Sequence, residues 1–130
     1  MRYIVKGEGY DRGWGEGFEV KFQADNDSQA KIKLVAMGIF GHSGNEWKDV
    51  SHTQLQHEFL EDLDEKYQWY VSEHGLLDED LFADIAVEQI LEPMNGDGMD
   101  YFAALENLDT GDIVWGDPED ANLVNYDYDE

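Results

Sequence analysis

The chain has 130 residues with 31 Asp and Glu against 8 Lys and Arg, no cysteine, and a formal net charge of −23. That length fits one domain with a sizeable core, and four Trp, seven Tyr and six Phe within an apolar fraction of 42% exclude a wholly disordered acidic chain. The charge excludes direct binding to nucleic acid or anionic lipid, the missing cysteines exclude disulfides and thiolate metal sites, the N-terminal MRYIVKGEGY has no apolar stretch to serve as a secretory signal, and no run is long enough for a membrane span, so cytoplasm is the expected compartment.

The pattern predicts a short first strand over residues 2–6. Phe18, Val20, Phe22 and Ala24 then alternate with Glu19, Lys21 and Gln23, the two-residue period of a half-buried strand. The stretch KGEGYDRGWGEG reads as a loop joining the two, with the strands antiparallel. In QAKIKLVAMGIF, Ile32, Val35, Ala36, Ile39 and Phe40 recur as one helical face, and Asp or Ser from the preceding DNDS suits its cap. A third strand over residues 28–40 is the rival, because Ala30, Ile32 and Leu34 also alternate with Lys31 and Lys33.

Ser51 and Gln54 form a capping box opening one helix with a buried stripe of Leu55, Phe59, Leu63, Tyr67, Tyr70 and Val71, closed by Gly75. Asp78 caps the next, whose apolar residues are Leu81, Phe82, Ile85, Ala86 and Ile90 and which Pro93 stops. After MNGDG, the run DYFAALENLDTGDIVWG reads as two strands around an Asp109-Thr110-Gly111 turn. The expected architecture is α+β: a small antiparallel sheet of about four strands against two or three helices, one domain over residues 1–116. An acidic tail over residues 117–130 either adds an edge strand through residues 123–126 or hangs free.

Motifs for chemistry fail on spacing. Glycines 7, 9, 13, 15 and 17 suggest a phosphate loop, yet the third glycine of G-x-G-x-x-G is replaced by Arg12, Phe18 or Val20, and no G-K-[ST] follows. Placing Gly98 at the pivot of a calcium loop puts Pro93 at its first position and Ala104 at its twelfth, and pivoting on Gly96 puts Leu91 first. His42, His52, His57 and His74 include no i, i+4 pair, and His52 and His57 would lie about 140° apart around a helix. These histidines are assigned structural or solvent-facing roles, and no catalytic residue, metal or cofactor is assigned. Trp47, Trp69 and Trp115 are expected in the core. Tyr10, Trp14, Tyr126 and Tyr128 are expected at the surface, where they either anchor a partner or pack on their own strands.

The charge is unevenly placed. Residues 1–66 carry 13 carboxylates and all 8 cations, whereas residues 67–130 carry 18 carboxylates and no Lys or Arg. A compact chain of this length has a diameter of about 36 Å, and B-DNA that long carries on the order of 20 phosphates, close to the surplus here. Size and charge of this kind resemble the DNA-mimic inhibitors that phages and mobile elements direct against restriction enzymes, CRISPR effectors or repair nucleases. The resemblance implies a non-enzymatic inhibitor whose partner is a basic nucleic-acid-binding protein. Glu58, Glu61, Asp62, Glu65, Asp78, Glu79, Asp80, Asp84 and Glu88 on the helices, with Asp117, Glu119, Asp120, Asp127 and Asp129 of the tail, would stand in for phosphates. An acidic adaptor or chaperone for a basic protein, or a housekeeping domain adapted to high salt, are the alternatives.

Overall fold

The computed structural model describes residues 1–9, 16–42, 44–95 and 101–117. Strands β1 (Arg2–Gly9), β2 (Glu16–Gln23), β3 (Tyr101–Asn107) and β4 (Ile113–Gly116) form one antiparallel sheet in the order β2-β1-β3-β4. Opposite residues share a face, so the pairs Tyr3 with Phe22, Val5 with Val20 and Gly7 with Phe18 point inward, while Arg2, Ile4 and Lys6 share the outer face with Gln23, Lys21 and Glu19. The α+β reading holds. Both strands of the first hairpin run further into the glycine stretch than the alternation of apolar residues indicates, because backbone pairing continues through Gly7, Gly9 and Gly17. Gly7 sits where the β1–β3 register shifts, and a Cβ there would run into the Tyr101 carbonyl and lie 2.6 Å from the Phe18 ring. Residues 10–15, which include Tyr10, Arg12 and Trp14, lie outside the described residues.

Residues 28–40 are helical. Helix α1 (Asp27–Phe40) is capped by Asn26, whose side chain accepts from the Gln29 N–H at 2.8 Å, in place of the expected Asp or Ser. Its burial is broader than one face: Ala30, Ile32, Leu34, Val35, Ala36, Met37 and Gly38 are all buried, because α1 packs both on β3 and β4 and on the helix over Glu79–Ala86. Small residues allow this close packing. A Cβ on Gly38 would sit 2.8 Å from Leu91 Cδ1.

The helix expected from Ser51 to Gly75 is two. Ser51 caps α2 (His52–Phe59), its hydroxyl accepting from the Gln54 N–H at 3.2 Å, but a 3-10 turn (Leu60–Asp62) and an extended Leu63 intervene before α3 (Glu65–His74). The stripe 55, 59, 63, 67, 71 explains the break. Steps of four residues drift by about 40° on a straight helix, so residue 71 would lie about 160° from residue 55 and on the wrong side. The interruption resets the face and buries Leu63 at 3% exposure, and Gln68 Nε2 donates to the freed carbonyls of Leu63 (2.7 Å) and Glu61 (3.3 Å). As expected, Gly75 ends α3, with φ +93° and its N–H donated to the Val71 carbonyl.

Asp78 caps α4 (Glu79–Ala86), accepting from the Leu81 N–H at 2.8 Å. The helix widens into a π turn (Val87–Leu91) and closes with Glu92–Met94, so it runs one residue past Pro93 instead of stopping there. Phe82, Ile85, Ala86 and Ile90 are buried as expected, but Leu81 is 43% exposed. Trp47 is buried and Trp115 half-buried, whereas Trp69, expected in the core, is 61% exposed, and Tyr70, placed in the buried stripe, is also exposed. Among the described residues no helix is long and apolar enough to cross a membrane.

At the β3–β4 turn, buried Asn107 accepts from the N–H groups of Asp109 (2.9 Å) and Thr110 (3.1 Å) and donates to Asp27 Oδ1 at 3.2 Å. Asp27 also accepts from the Tyr3 hydroxyl at 2.8 Å, and burial followed by that carboxylate pushes the phenol pKa up. Asp109 accepts from the Arg2 backbone N–H and its guanidinium, bonds that hold its carboxyl below the usual range.

Candidate partner-binding surface

Two pairs of side-chain amide bonds gather the acidic segments into one layer. Buried Gln56 donates to the Leu77 carbonyl at 2.9 Å and accepts from the Leu77 N–H at 2.8 Å, fixing α2 beside the start of α4. Gln89 accepts from the Asp64 N–H at 2.8 Å and donates to the Asp64 carboxylate at 3.0 Å, fixing the start of α3 beside the π turn. The acidic stretch 58–65 is therefore anchored, through the Asp64–Gln89 contact, beside the π turn that extends α4.

Within that layer the predicted residues differ in what they touch. Glu58 near the end of α2, Glu61 and Asp62 in the 3-10 turn, Glu65 opening α3, and Glu88 in the π turn are exposed, and their side chains make no ion pair or hydrogen bond among the described residues. Asp78 is engaged as a cap, Asp80 accepts from the Ser28 hydroxyl at 2.6 Å, and Asp84 pairs with Lys31 at 2.6 Å. Glu79 is half-buried at the rim of a cavity of about 230 Å³ that Lys33 and Lys48 also line. Glu58, Glu61 and Glu65 sit on three successive pieces of chain and not on one continuous helix.

A regular row does exist on α4 and its extension. Asp80 and Asp84 lie one turn apart on α4, where such neighbours stand about 5–6 Å apart, and Glu88 in the π turn and Glu92 beyond it continue at four-residue intervals, all four exposed. Glu92, not among the residues expected from the sequence, continues the four-residue recurrence of Asp80, Asp84 and Glu88. Asp117, also exposed, lines with Glu92 a cavity of about 470 Å³ bounded by Tyr101 and Trp115. Glu119, Asp120, Asp127 and Asp129, with Tyr126 and Tyr128, lie outside the described residues.

The chain's own cations do little to neutralise this layer. Residues 52–95 hold twelve carboxylates and one lysine. That lysine, Lys66, lies 5.0 Å from the centre of its neighbour Tyr67's ring, and Lys33 donates to the Lys48 carbonyl. Lys31 supplies the one cross-helix ion pair among the described residues.

No three His, Asp or Glu side chains among the described residues are disposed to hold a metal ion. His42 stacks on Phe18 at 4.0 Å, His52 Nδ1 is 3.1 Å from Gln56 Nε2, and His74 packs on Trp69 and Tyr70, while His57 faces solvent. Compared with known proteins, the chain matches no family model, no curated protein and no solved structure.

Proposed function

We propose that this chain is a non-enzymatic acidic inhibitor, a DNA mimic that occupies the basic nucleic-acid groove of a host restriction, CRISPR or repair enzyme in the counter-defence of a phage or mobile element. The observation that carries this reading is the exposed row Asp80, Asp84, Glu88 and Glu92, joined through Asp64 and Gln89 to Glu58, Glu61, Asp62 and Glu65 with one ion pair among them. A lysine- or arginine-lined groove would meet these anions as it meets a phosphate backbone, and binding would release counterions as DNA does. Selectivity would come from the apolar side chains that interrupt the anions.

The test is capture from host lysate at about 50 and about 200 mM salt, with duplex DNA as competitor. A nucleic-acid-processing enzyme held at the lower salt, shed at the higher and displaced by duplex supports the proposal. A basic partner that duplex does not displace overturns it in favour of an adaptor or chaperone. Capture of no such protein, with a melting temperature that climbs steeply with salt, overturns it in favour of a salt-adapted housekeeping domain.

A further inference from the structure

Helix α3 contributes no buried residue to the fold and leaves the indole of Trp69 61% exposed, the largest exposure of any large apolar side chain among the described residues. Glu65, Trp69 and Glu73 recur at four-residue spacing and are all exposed, so the ring stands in a column with a carboxylate one turn to either side. His74 packs edge-on against the indole, with centroids 5.7 Å apart and planes at 77°, and also against Tyr70 at 4.9 Å. The indole is thus braced on one side. No cation of the chain covers it among the described residues, since Lys66 lies by Tyr67 and Lys48 by Trp47.

We infer that the Glu65–Trp69–Glu73 column is a docking site for an arginine side chain of a basic protein partner, its guanidinium stacked on the indole and bridged to the flanking carboxylates. Charge complementarity selects this occupant. A bare aromatic ring between two anions in a chain of net charge −23 repels the phosphates of a nucleotide or nucleic acid and attracts a cation. Arginine fits better than lysine, because its plane stacks on the ring while its fork of N–H donors still reaches the carboxylates, whereas an ammonium must give up one contact for the other. The inference deepens the proposed function by naming the chemistry of the partner's contact, and rests on that reading only for the partner's identity.

The test compares a nine-residue oligoarginine with oligolysine of equal length, each titrated into the full chain by fluorescence anisotropy of a labelled peptide. The arginine peptide is expected to bind about fivefold more tightly or better, the upper scale of a cation–π contact at an exposed site. Trp69→Ala should reduce that preference to less than about twofold, Trp69→Phe should keep part of it, and the paired Glu65→Gln, Glu73→Gln variant should weaken it without an aromatic change. Equal binding of the two peptides by the unaltered chain, or an undiminished preference in Trp69→Ala or in the paired variant, overturns the inference. An arginine preference without capture of a nucleic-acid enzyme overturns the proposed function and leaves this site standing, whereas such capture without the preference does the reverse.

Discussion

On the outer face of the sheet, Lys6 lies 3.8 Å from Glu106 and faces Glu19 across the ladder, and at its edge Arg2 binds Asp109 at 2.9 Å. Across the molecule, Glu58, Glu61, Asp62, Glu65 and Glu88 face solvent with no cation attached among the described residues. On that side three cations, Arg2, Lys6 and Lys21, stand among four carboxylates, Glu8, Glu19, Glu106 and Asp109. The helical layer leaves its surplus open. A chain acidic merely for solubility would have no reason to divide its charge this way, and the proposed inhibitor reading rests on that difference.

The contrast can be broken at its structural joint. Replacing Gln56 by Ala strands the buried Leu77 N–H and carbonyl, and stability should fall by about 3 kcal/mol, lowering the melting temperature by roughly 10 °C. Calorimetry of Gln56→Ala checks this. An unchanged melting point would show that the acidic helices do not depend on that amide for their placement.

The contrast sharpens when each side is neutralised separately. Changing Asp80, Asp84, Glu88 and Glu92 to their amides should weaken partner binding by on the order of a hundredfold, since each lost charge contributes modestly and the four act together. Amides at Glu8, Glu19 and Glu106 should cost less than about threefold. Titration of both variants against the captured enzyme gives the ratio.

Salt should act on the two sides unequally as well. Raising it from about 50 to about 500 mM screens the repulsion among unpaired carboxylates and should raise the melting temperature by a few degrees, an increment the four-amide variant should largely lose.

The smallest effect belongs to the paired side. Because the Arg2 bonds hold the Asp109 carboxyl below its unfolded value, the stability they add is complete above that unfolded value and disappears as pH falls through the lower folded one. Asp109→Asn should therefore melt slightly below the parent at pH 6, with the gap closing toward pH 3 by thermal scans. Tyr3 works in the other direction. Its phenol is raised, so its contribution is complete below about pH 10 and shrinks as pH climbs beyond, a decline that Tyr3→Phe should flatten.

Local chemistry was the legible part of the sequence. Ser51, Gly75 and Asp78 act at the helix ends their side chains and backbone freedom imply, and the β1–β2 and β3–β4 pairings follow from alternation and turn residues. What alternation and periodicity left open depended on neighbours far along the chain. Helix α1 is buried nearly all round because sheet and α4 flank it, a state in which helical and strand patterns look alike. The break before α3 was written in the spacing of four from Leu55 to Tyr67, whose drift no straight helix can keep on one side, and a single helix drawn through it wrongly placed Tyr70 in the buried stripe. Of the site, the acidic character of the helices was plain from composition. The joining of their carboxylates was not, because it depends on Gln56 and Gln89, two neutral amides that carry no charge signal.

The claim that the unpaired anions form one binding layer is tested most directly by amide chemical-shift mapping while the oligoarginine peptide is titrated into the isotope-labelled chain. The account predicts the largest shifts at residues 58–73 and 78–92, with β1 and β2 nearly still. Shifts of equal size along Arg2–Gly9 and Glu16–Gln23 would contradict it.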